Sequence, residues 1–397
     1  MNMNTDPVVI VSAMRTPMGG FLGDFAGLSA ADLGAVAIRA ALQRAGLEAD
    51  AVDQVIMGCV LQAGQGQAPA RQAALAAGLA HGTACSTLNK MCGSGMMATM
   101  LAHDQLLAGS ADVMVAGGME SMSNAPYLLE RARGGYRMGH GRLVDHMFLD
   151  GLEDAYDRGQ VMGTFAEQVV ENYGFTRSQQ DEYAIASLTR AQQAMAEGYF
   201  AAEIAAVTVK AGKALREVSA DEQPPKARLD KIPSLKPAFR DGGTITAANA
   251  SSISDGAAAL LLMRRSEAER RGLTPLAAIR GHASYAHAPK LFSTAPVGAL
   301  QRLMDRTGWS IGEVDLFEIN EAFAMVPMVA MHDLGIPHER VNVHGGACAL
   351  GHPLGASGAR VLVTLLHALR RNGLKRGVAA LCIGGGEATA MAIETLN

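Results

Sequence analysis

The sequence has few cysteines and few aromatic residues, and it lacks a paired-cysteine motif. Aromatic residues make up 5% of the 397 residues. An odd number of cysteines with no Cys-x-x-Cys pair argues against a disulfide framework and against a structural zinc site. Unpaired cysteines of this kind are typical of a reducing compartment, so a cytoplasmic location is expected. The cysteines are Cys59, Cys85, Cys92, Cys348 and Cys382.

A strong net charge and a long hydrophobic run are also absent. The chain contains 34 basic and 38 acidic side chains, and its formal net charge of −4 produces no field that would attract nucleic acid or a membrane surface. The best apolar run, Ala322–Met331, is about half as long as a membrane span. The start of the chain, Met1–Pro7, has neither the basic nor the apolar region of a secretion signal. We therefore expect no nucleic-acid partner and no membrane partner.

Glycine is abundant, with 45 residues in a chain that is 49% hydrophobic. A chain of this length and composition can form two or three hydrophobic cores. Short β-branched runs alternate with amphipathic stretches, which predicts an α/β fold around buried sheets. Capping-box spacings after Ser29, Thr176 and Ser310 predict the starts of helices.

The chain contains an internal repeat. Similar pieces recur at separations of 262 to 267 residues, and slowly drifting separations of this kind indicate a duplicated domain with small insertions. The paired pieces include Gly34-Ala35 with Gly298-Ala299, Val52-Asp53 with Val314-Asp315, Ser94-Gly95 with Ser357-Gly358, and Val113–Gly118 with Ala380–Gly385.

The segment 122–251 breaks this repeat. It is rich in glycine, arginine and polar residues and contains one clear helix, which starts after Thr176 and ends at Gly198. We interpret the segment as a loop domain inserted into the first half. The predicted N-terminal half consists of residues 1–121 and 252–275, and the predicted C-terminal half of residues 276–397.

The most informative motif surrounds Cys92. Cys92-Gly93-Ser94-Gly95 precedes a small, apolar, helix-compatible stretch, which predicts a nucleophile on a tight turn at a helix N-terminus. Backbone N–H groups and the helix dipole stabilise a thiolate there, so we expect the thiol pKa to fall from about 8.5 towards roughly 3.5–7.5. Taken alone, a cysteine in such a segment is more often a packing residue.

Three further motifs near the C-terminus each place a reactive side chain among small residues. They contain Asn320-Glu321, the glycine-rich run that includes His352, and Cys382-Ile383-Gly384. Two thiols, an imidazole and a carboxamide are the groups that acyl transfer and carbon–carbon bond chemistry require. A thiol base with a pKa near 8.5 suits a weakly acidic thioester α-proton better than a carboxylate near 4, and Cys382 fits that role.

Simpler interpretations of these residues remain open. Cys382 ends an apolar strand and can be a core residue. Asn320 can be a turn residue, and Glu321 can be either a solvated group or a support for its neighbours. Cys348 is interpreted as structural, as are Cys59 and Cys85.

The four motifs together resemble those of the thiolase family, and the resemblance runs in the family's order from about Pro7 to Asn397. It implies two βαβαβαββ halves in a five-layered α-β-α-β-α arrangement, with the inserted loop domain over the active site. It also implies acyl-CoA substrates and self-association to a dimer or tetramer. Coenzyme A would be substrate and product, with no other cofactor and no metal.

The resemblance also implies catalytic roles for individual residues. Cys92 would become the acyl-enzyme after His352 takes its proton, and Cys382 would remove the α-proton of a second acetyl-CoA. His352 and a water held by Asn320 would form one oxyanion hole. The backbone N–H groups of Cys92 and Gly384 would form the other.

Substrate-binding positions follow from the same resemblance. Ser251, Arg228 and Lys231 would contact coenzyme A, although a solvated surface loop explains the charges of the last two equally well. Four further positions match the apolar pocket of the family: Met162, Phe239, Phe292 and Phe323.

The chain departs from the family pattern at the pocket. Val161 precedes Met162-Gly163 where short-chain members often have histidine, Phe292 replaces a methionine, and Glu387-Ala388 follows the last glycines. The expected activity is reversible condensation of two acetyl-CoA to acetoacetyl-CoA and CoA. A 3-ketoacyl-CoA thiolase with broader chain-length range and an inactive CoA- or lipid-binding protein remain as alternatives.

Overall fold

A computed structural model describes residues 6–396 of the chain. The strands are β1 Val8–Arg15, β2 Gly19–Gly20, β3 Gln54–Gly58, β4 Ala84–Leu88, β5 Val113–Ser121, β6 Tyr127–Leu129, β7 Leu143–Asp145, β8 Val207–Ala211, β9 Ala214–Val218, β10 Ser254–Arg264, β11 Ala277–Ala286, β12 Leu316–Ile319, β13 Arg376–Ile383 and β14 Glu387–Thr395. The helices are α1 Ala30–Ala45, α2 Pro69–Ala77, α3 Ser94–Leu107, α4 Met162–Tyr173, α5 Arg177–Ala196, α6 Arg265–Arg270, α7 Ala295–Thr307, α8 Met325–Leu334, α9 Ala347–Leu350 and α10 Leu354–Arg371.

Ten strands form one mixed sheet in the order β12-β13-β14-β11-β1-β10-β5-β3-β4, with β2 paired to β10. The order has two similar halves, which meet where β1 pairs antiparallel with β11 through Val9 and Ile10. In each half two strands are parallel neighbours, β3 with β5 and β12 with β13, and an antiparallel strand follows. The architecture is therefore duplicated.

The same hydrogen bonds recur in both halves. The Asp53 carboxylate accepts from the backbone N–H groups of residues 112 and 113, and the Asp315 carboxylate accepts from those of residues 375 and 376. Gly46 ends α1 and Gly308 ends α7, both with left-handed backbone. Asp53 and Asp315 therefore link the start of β5 and the start of β13 in the same way.

The strand register corrects one pairing of the sequence repeat. Gln54 lies opposite Met114, and Leu316 lies opposite Gly377, so β5 and β13 correspond at a separation of 263 residues. The match of 113–118 with 380–385 is therefore wrong by four residues. Small residues recur in both segments for different reasons, because Gly118 admits the backbone of Gly355 while 384–386 form the turn into β14.

Three core clusters create the predicted five layers. One lies between the N-terminal half of the sheet and α1 and α2, and another packs α7 and α8 on the C-terminal half. The third surrounds α3 and α10, which lie between the two halves. These helices touch closely, because a methyl group added at Gly95 would stand 2.7 Å from the backbone nitrogen of Ala359. The α/β fold class and its layering are confirmed.

The C-terminal half lacks a full counterpart of β4. A single parallel bridge joins Val341 to Phe317, and the side chain of Asn342 replaces the missing ladder. Its Oδ1 accepts from the N–H of Ile319 at 2.9 Å, and its Nδ2 donates to the Ile319 carbonyl at 2.8 Å. One amide side chain thus supplies the donor and the acceptor that a strand residue would supply.

The inserted segment contains the predicted helix, α5, and a second helix, α4. Thr176 caps α5 with Gln179 as predicted. Helix α4 has no side-chain cap at Val161, so no capping residue marks its start. Ser310 forms its capping box on a single 3₁₀ turn, Ile311–Glu313, instead of a longer helix. Within the described residues, no helix is both long and apolar enough to cross a membrane.

Candidate active site

The loop that carries Cys92 is held rigidly before α3. Met91 adopts a left-handed backbone conformation with φ of 49°, which is uncommon for a residue with a side chain. Asn89 Oδ1 accepts from the Met91 N–H at 2.8 Å, and the Ser94 hydroxyl donates to the Met91 carbonyl at 2.6 Å. Ser94 also accepts from the Lys90 N–H. These bonds stabilise the turn that presents Cys92.

The Cys92 loop packs directly against the end of β13. A methyl group added at Gly93 would stand 2.4 Å from Ile383 Cδ1, so any side chain there would push Ile383 aside. The backbone N–H groups of Gly384 and of Cys92 itself both stabilise the Cys92 thiolate. The Cys92 thiolate in turn disfavours ionisation of Cys382. The two thiols therefore share one site.

Burial raises the pKa of Cys92 to about 11, although two backbone N–H groups act in the opposite direction. The prediction of a lowered pKa at the helix N-terminus is therefore wrong. The free-energy cost of removing the thiolate from water exceeds the stabilisation that the two N–H donors provide. Burial and the neighbouring Cys92 raise the pKa of Cys382 well above its usual value. Both cysteines are thiols at neutral pH, and each needs a base or a coupled proton transfer to react.

His352 lies in a turn that only a glycine permits. Gly351 has a φ of 105°, and a methyl group at that position would overlap the Ser254 hydroxyl. The Nδ1 atom of His352 lies 2.5 Å from Ser357 Oγ, and that hydroxyl is 2.9 Å from the Pro353 carbonyl. A hydroxyl donates only once. When Ser357 donates to the carbonyl, Nδ1 carries the imidazole proton and Nε2 is the free acceptor.

His352 is neutral and pairs with Asn320. Burial, with the nearby Arg360 guanidinium as a second cause, lowers the pKa of His352 to about 3. Asn320 follows β12, is fully buried, and places Nδ2 3.4 Å from His352 Nε2. The structure therefore brings the predicted imidazole and carboxamide together. A neutral imidazole with a free Nε2 can accept a proton from a thiol.

Glu120 connects loops from the two halves of the fold. Its carboxylate accepts from the backbone N–H groups of Val60, Leu61 and Gly355 at 2.8 to 3.1 Å. Gly355 opens α10 just after His352, and Cys92 packs against the apolar cluster that includes Leu354. Burial raises the pKa of Glu120. This carboxylate thus holds the His352 loop against the half of the fold that carries Cys92.

Glu321 is a buried support, so its interpretation as a solvated group is wrong. Its carboxylate accepts from Tyr183 and Ser187 of α5 and from Asn342. It also accepts from the backbone N–H of Cys348 at 3.0 Å. Glu321 therefore connects the inserted segment to the loops that carry Asn320 and His352. The alternative of a supporting residue is confirmed.

Met162, Phe239 and Phe323 form one apolar wall, and all four predicted pocket residues belong to the same hydrophobic cluster. Phe323 contacts Phe239 edge to face at 5.7 Å between ring centroids, and Phe292 at 6.3 Å. Met162 opens α4, and its sulfur lies 3.3 Å from where a side chain on Gly384 would begin. Phe292 is 2% exposed and belongs to the core behind the wall. The inserted segment thus lies against the turn after Cys382.

The predicted coenzyme A contacts divide into two groups. Ser251 donates both its N–H and its hydroxyl to the Ala322 carbonyl, beside Phe323. Arg228 is exposed and forms a two-pronged ion pair with Asp230. Lys231 is exposed on the same short 3₁₀ segment. The structure joins Ser251 to the active-site loops and leaves Arg228 and Lys231 at the surface.

A cavity of about 420 Å³ opens beside these loops. Its lining comes from the Cys92 loop, the turn after Cys382 and the inserted segment. The lining residues include Asn89, Lys90, Met91, Leu149, Asp154, Arg158, Met162, Gly384 and Glu387. An acyl-CoA bound here would lie against the two loops that carry Cys92 and Cys382.

Sequence reasoning missed several residues that hold this site. Ser357, Glu120, Glu318 and Arg360 are all at most 2% exposed. The sequence contains a signal for two of them, because Glu318 and Arg360 are charged residues inside apolar runs. These runs are Leu316–Ile319 and Ala359–Leu366. Such a residue is costly to bury and is retained only with a partner.

One group of side chains has the composition of a metal site. His103, Asp104 and His282 place ligand atoms within 4.8 Å of one another, and no similar group occurs elsewhere in residues 6–396. Both histidine rings already share the Asp104 carboxylate at 2.9 Å. None of the three belongs to the loops described above.

Comparison with known proteins identifies the family of the chain. Residues 8–266 match the family described as Thiolase, N-terminal domain, and residues 273–395 match Thiolase, C-terminal domain. The acetyl-CoA acetyltransferase of Escherichia coli is 50% identical over 98% of this chain and 99% of its own length. That of Cupriavidus necator is 48% identical with the same coverage. Acetyl-CoA acetyltransferase 2 of Arabidopsis thaliana is 48% identical and covers the whole chain.

Two solved structures have the same fold. The acetyl-CoA acetyltransferase of Bacillus anthracis superposes with a TM-score of 0.96 at 40% identity, covering 98% of this chain and 99% of that one. A thiolase from Ascaris suum, solved in complex with coenzyme A, has a TM-score of 0.92 at 42% identity, covering 98% and 100%.

Proposed function

Since the chain belongs to the thiolase family, we propose that it is an acetyl-CoA C-acetyltransferase. It condenses two acetyl-CoA to acetoacetyl-CoA and free CoA, and it catalyses the reverse thiolysis. The proposal is supported by the packing of the Cys92 loop against the end of β13, which carries Cys382, and by the His352–Asn320 contact. The names of full-length relatives at 48 to 50% identity support the acetyl substrate.

The first half-reaction forms an acyl-enzyme. Because Cys92 is a thiol at neutral pH, His352 Nε2 accepts its proton as the sulfur attacks the acetyl carbonyl. The carbonyl oxygen becomes an oxyanion, which the N–H groups of Cys92 and Gly384 stabilise. When the oxyanion collapses, the C–S bond to CoA breaks and the CoA thiolate takes the proton of the Cys382 thiol. Acetyl-Cys92, a Cys382 thiolate and a protonated His352 remain.

The second half-reaction forms the carbon–carbon bond. The Cys382 thiolate removes a proton from the methyl group of the second acetyl-CoA. The Nδ2–H of Asn320 and the Nε2–H of the protonated His352 stabilise the resulting enolate oxygen. The enolate carbon attacks acetyl-Cys92, the C–S bond to Cys92 breaks, and the Cys92 sulfur recovers its proton from His352. Both thiols and the neutral imidazole are thereby restored. The steps are proton and acyl transfers without net oxidation, so the proposal requires coenzyme A as substrate and no other cofactor or metal.

The pocket wall sets the length of the acyl chain. Phe292 stands where the family pattern has a methionine, and it packs behind Phe323 with 2% of its surface exposed. Pocket walls of this kind discriminate by about 1–3 kcal/mol per methylene. A broader 3-ketoacyl-CoA thiolase is not favoured, since the relatives reported above are acetyl-CoA acetyltransferases.

The test is CoA-dependent loss of the enolate absorbance of 3-ketoacyl-CoA. Acetoacetyl-CoA and 3-ketohexanoyl-CoA are compared with the wild-type chain and with Cys92→Ser, which keeps the side-chain volume and loses the thiol. Efficient turnover of acetoacetyl-CoA alone supports the proposal. Equal or better turnover of the longer substrate would assign a broad-range thiolase, and folded protein without turnover would indicate a binding protein.

Self-association is part of the proposal, as a dimer or a tetramer. The hairpin of β6 and β7 supports it, because it exposes large apolar side chains that a partner surface can cover. They include Tyr127, Leu129, Tyr136, Met138 and Leu143. Light scattering coupled to size exclusion measures the state, and a monomer at micromolar concentration would contradict this part. A reducing, cytoplasmic location is proposed because both reactive thiols must stay reduced.

A further inference from the structure

Arg360 lies directly behind the candidate active site and is 1% exposed. Its NH1 group donates to Glu318 Oε2 at 3.2 Å, and its NH2 group donates to Asn320 Oδ1 at 3.4 Å. Glu318 is 2% exposed and Asn320 is fully buried, so all three polar groups are removed from water. A polar network this deep persists only when its members satisfy one another.

The chemistry of the guanidinium fixes the orientation of the Asn320 amide. A guanidinium has N–H donors and no acceptor, so the amide must turn its oxygen towards Arg360. The Nδ2 donor then faces the opposite direction, towards His352 Nε2, 3.4 Å away. A flipped amide would set two donors against each other at Arg360 and would present an oxygen to the site.

Arg360 pairs with Glu318 at 3.2 Å, and burial raises the pKa of that carboxyl to about 8. Glu318 lies on β12, two residues before Asn320, so one strand supplies both partners of the guanidinium. The other carboxylate oxygen, Glu318 Oε1, accepts no hydrogen bond within residues 6–396, which leaves Arg360 as the partner that satisfies this side chain. Arg360 therefore contacts both groups: its NH1 donates to Glu318 and its NH2 donates to the Asn320 amide.

We propose that Arg360, held by Glu318, is a positioning residue that locks the Asn320 amide with its N–H donors directed at the reacting oxygen. The inference rests on the proposed function, in which Asn320 stabilises an enolate. Helix α10 then controls both polar partners of the site, because Ser357 on its first turn fixes the tautomer of His352 and Arg360 one turn later fixes the amide.

A double-mutant cycle tests this. Arg360→Met removes the donor and keeps the length of the side chain, Arg360→Lys keeps a donor-only cation, and each is made in the wild-type and the Asn320→Ala backgrounds. We expect Arg360→Met to lower kcat for thiolysis roughly 10- to 100-fold in the wild type and less than about 3-fold in Asn320→Ala. Arg360→Lys should keep more activity than Arg360→Met.

A purely structural role gives a different result. The same fold-loss in both backgrounds, or a loss that follows the thermal midpoint and not the presence of Asn320, would overturn the proposal. If Arg360→Met does not fold because Glu318 is left buried and unpaired, the charge-free variant Arg360→Met with Glu318→Gln takes its place in the cycle. Wild-type protein and Cys92→Ser run in the same assay, so an inactive wild type identifies failure of the proposed function instead.

A readout independent of turnover comes from a neutron crystal structure of the wild type, which distinguishes the nitrogen and the oxygen of the amide. Deuterium on the Asn320 atom that faces His352 is the expected result. Deuterium on the atom that faces Arg360 would overturn the inference even if the enzyme is active.

Discussion

The two halves of the fold share a scaffold and differ in chemistry. Asp53 and Asp315 make the same pair of backbone hydrogen bonds, and Ser94 and Ser357 occupy equivalent turns at the starts of α3 and α10. The N-terminal half contributes the nucleophile candidate, Cys92. The other three reactive side chains of the site come from the C-terminal half.

This difference shows how a duplicated fold can acquire an asymmetric site. The strands and buried helices hold the loops of the two halves in equivalent places. The side chains within each loop differ between the halves. Ser94 closes the turn before Cys92 by bonding the backbone, whereas Ser357 bonds the backbone and the imidazole of His352. The same scaffold position is thus structural in one half and connected to the chemistry in the other.

We expect the largest loss of turnover when either thiol is removed, and the two variants should differ in whether they become acetylated. Cys92→Ala removes the nucleophile and Cys382→Ala removes the base, so each should lower steady-state turnover roughly 10³- to 10⁶-fold. Mass spectrometry after mixing with acetyl-CoA distinguishes them, because Cys382→Ala should still carry one acetyl group and Cys92→Ala none. Acetylation of the Cys92→Ala variant at Cys382 would reverse the assignment of roles.

The second comparison uses pH. Because burial raises the pKa of Cys92 to about 11, its alkylation by iodoacetamide should accelerate about tenfold per pH unit from pH 7 to 10. Cys382, whose pKa is raised further by burial and by Cys92, should react later. Free glutathione is the reference, since an ordinary thiol levels off above about 8.5. A plateau for Cys92 below pH 8 would show that the helix N-terminus outweighs burial.

The equivalent serines provide a third comparison. Ser357→Ala removes the hydroxyl that holds His352 Nδ1, so kcat should fall roughly 10- to 100-fold, within the usual size of an acid–base contribution. Ser94→Ala should mainly lower the thermal midpoint, because its hydroxyl bonds only backbone groups. Equal losses of kcat in the two variants would remove the distinction between the halves.

The smallest effect concerns the shared scaffold. Asp53→Ala and Asp315→Ala should each lower the free energy of unfolding by about 1 kcal/mol, since each carboxylate satisfies two backbone N–H groups. Turnover should not change in either. Calorimetry measures the loss, and Asp305→Ala, an exposed residue of α7, serves as the control. A clear difference between the two variants would mean that the halves are less alike than their hydrogen bonds indicate.

Local signals predicted the fold well where they were complete. Thr176 with Gln179 and Ser29 with Asp32 formed the predicted capping boxes. Helix α4 was missed because it begins without a capping side chain, and one strand pairing was misplaced because glycines recur in both segments. Glycine patterns alone do not distinguish a close approach at Gly118 from a turn at Gly384.

The candidate site was partly predictable for the same reason. Cys92, His352, Asn320 and Cys382 stand out because reactive side chains in glycine-rich turns are rarely needed for packing. The pKa of Cys92 was predicted in the wrong direction because local sequence reveals the N–H donors, while burial depends on loops that are remote in sequence. Nothing local indicated that Glu321 is enclosed by α5.

The sequence alone determined the residue types of the site, the duplication and the alternation of strands and helices, because these depend on composition and periodicity within short windows. Only the tertiary structure decided which groups meet and how they are charged. The contact of Gly93 with Ile383 joins positions 290 residues apart in the chain, and Arg360 reaches the Asn320 amide from another element. Desolvation and hydrogen-bond direction arise from that assembly, and they set the proton states on which the chemistry depends.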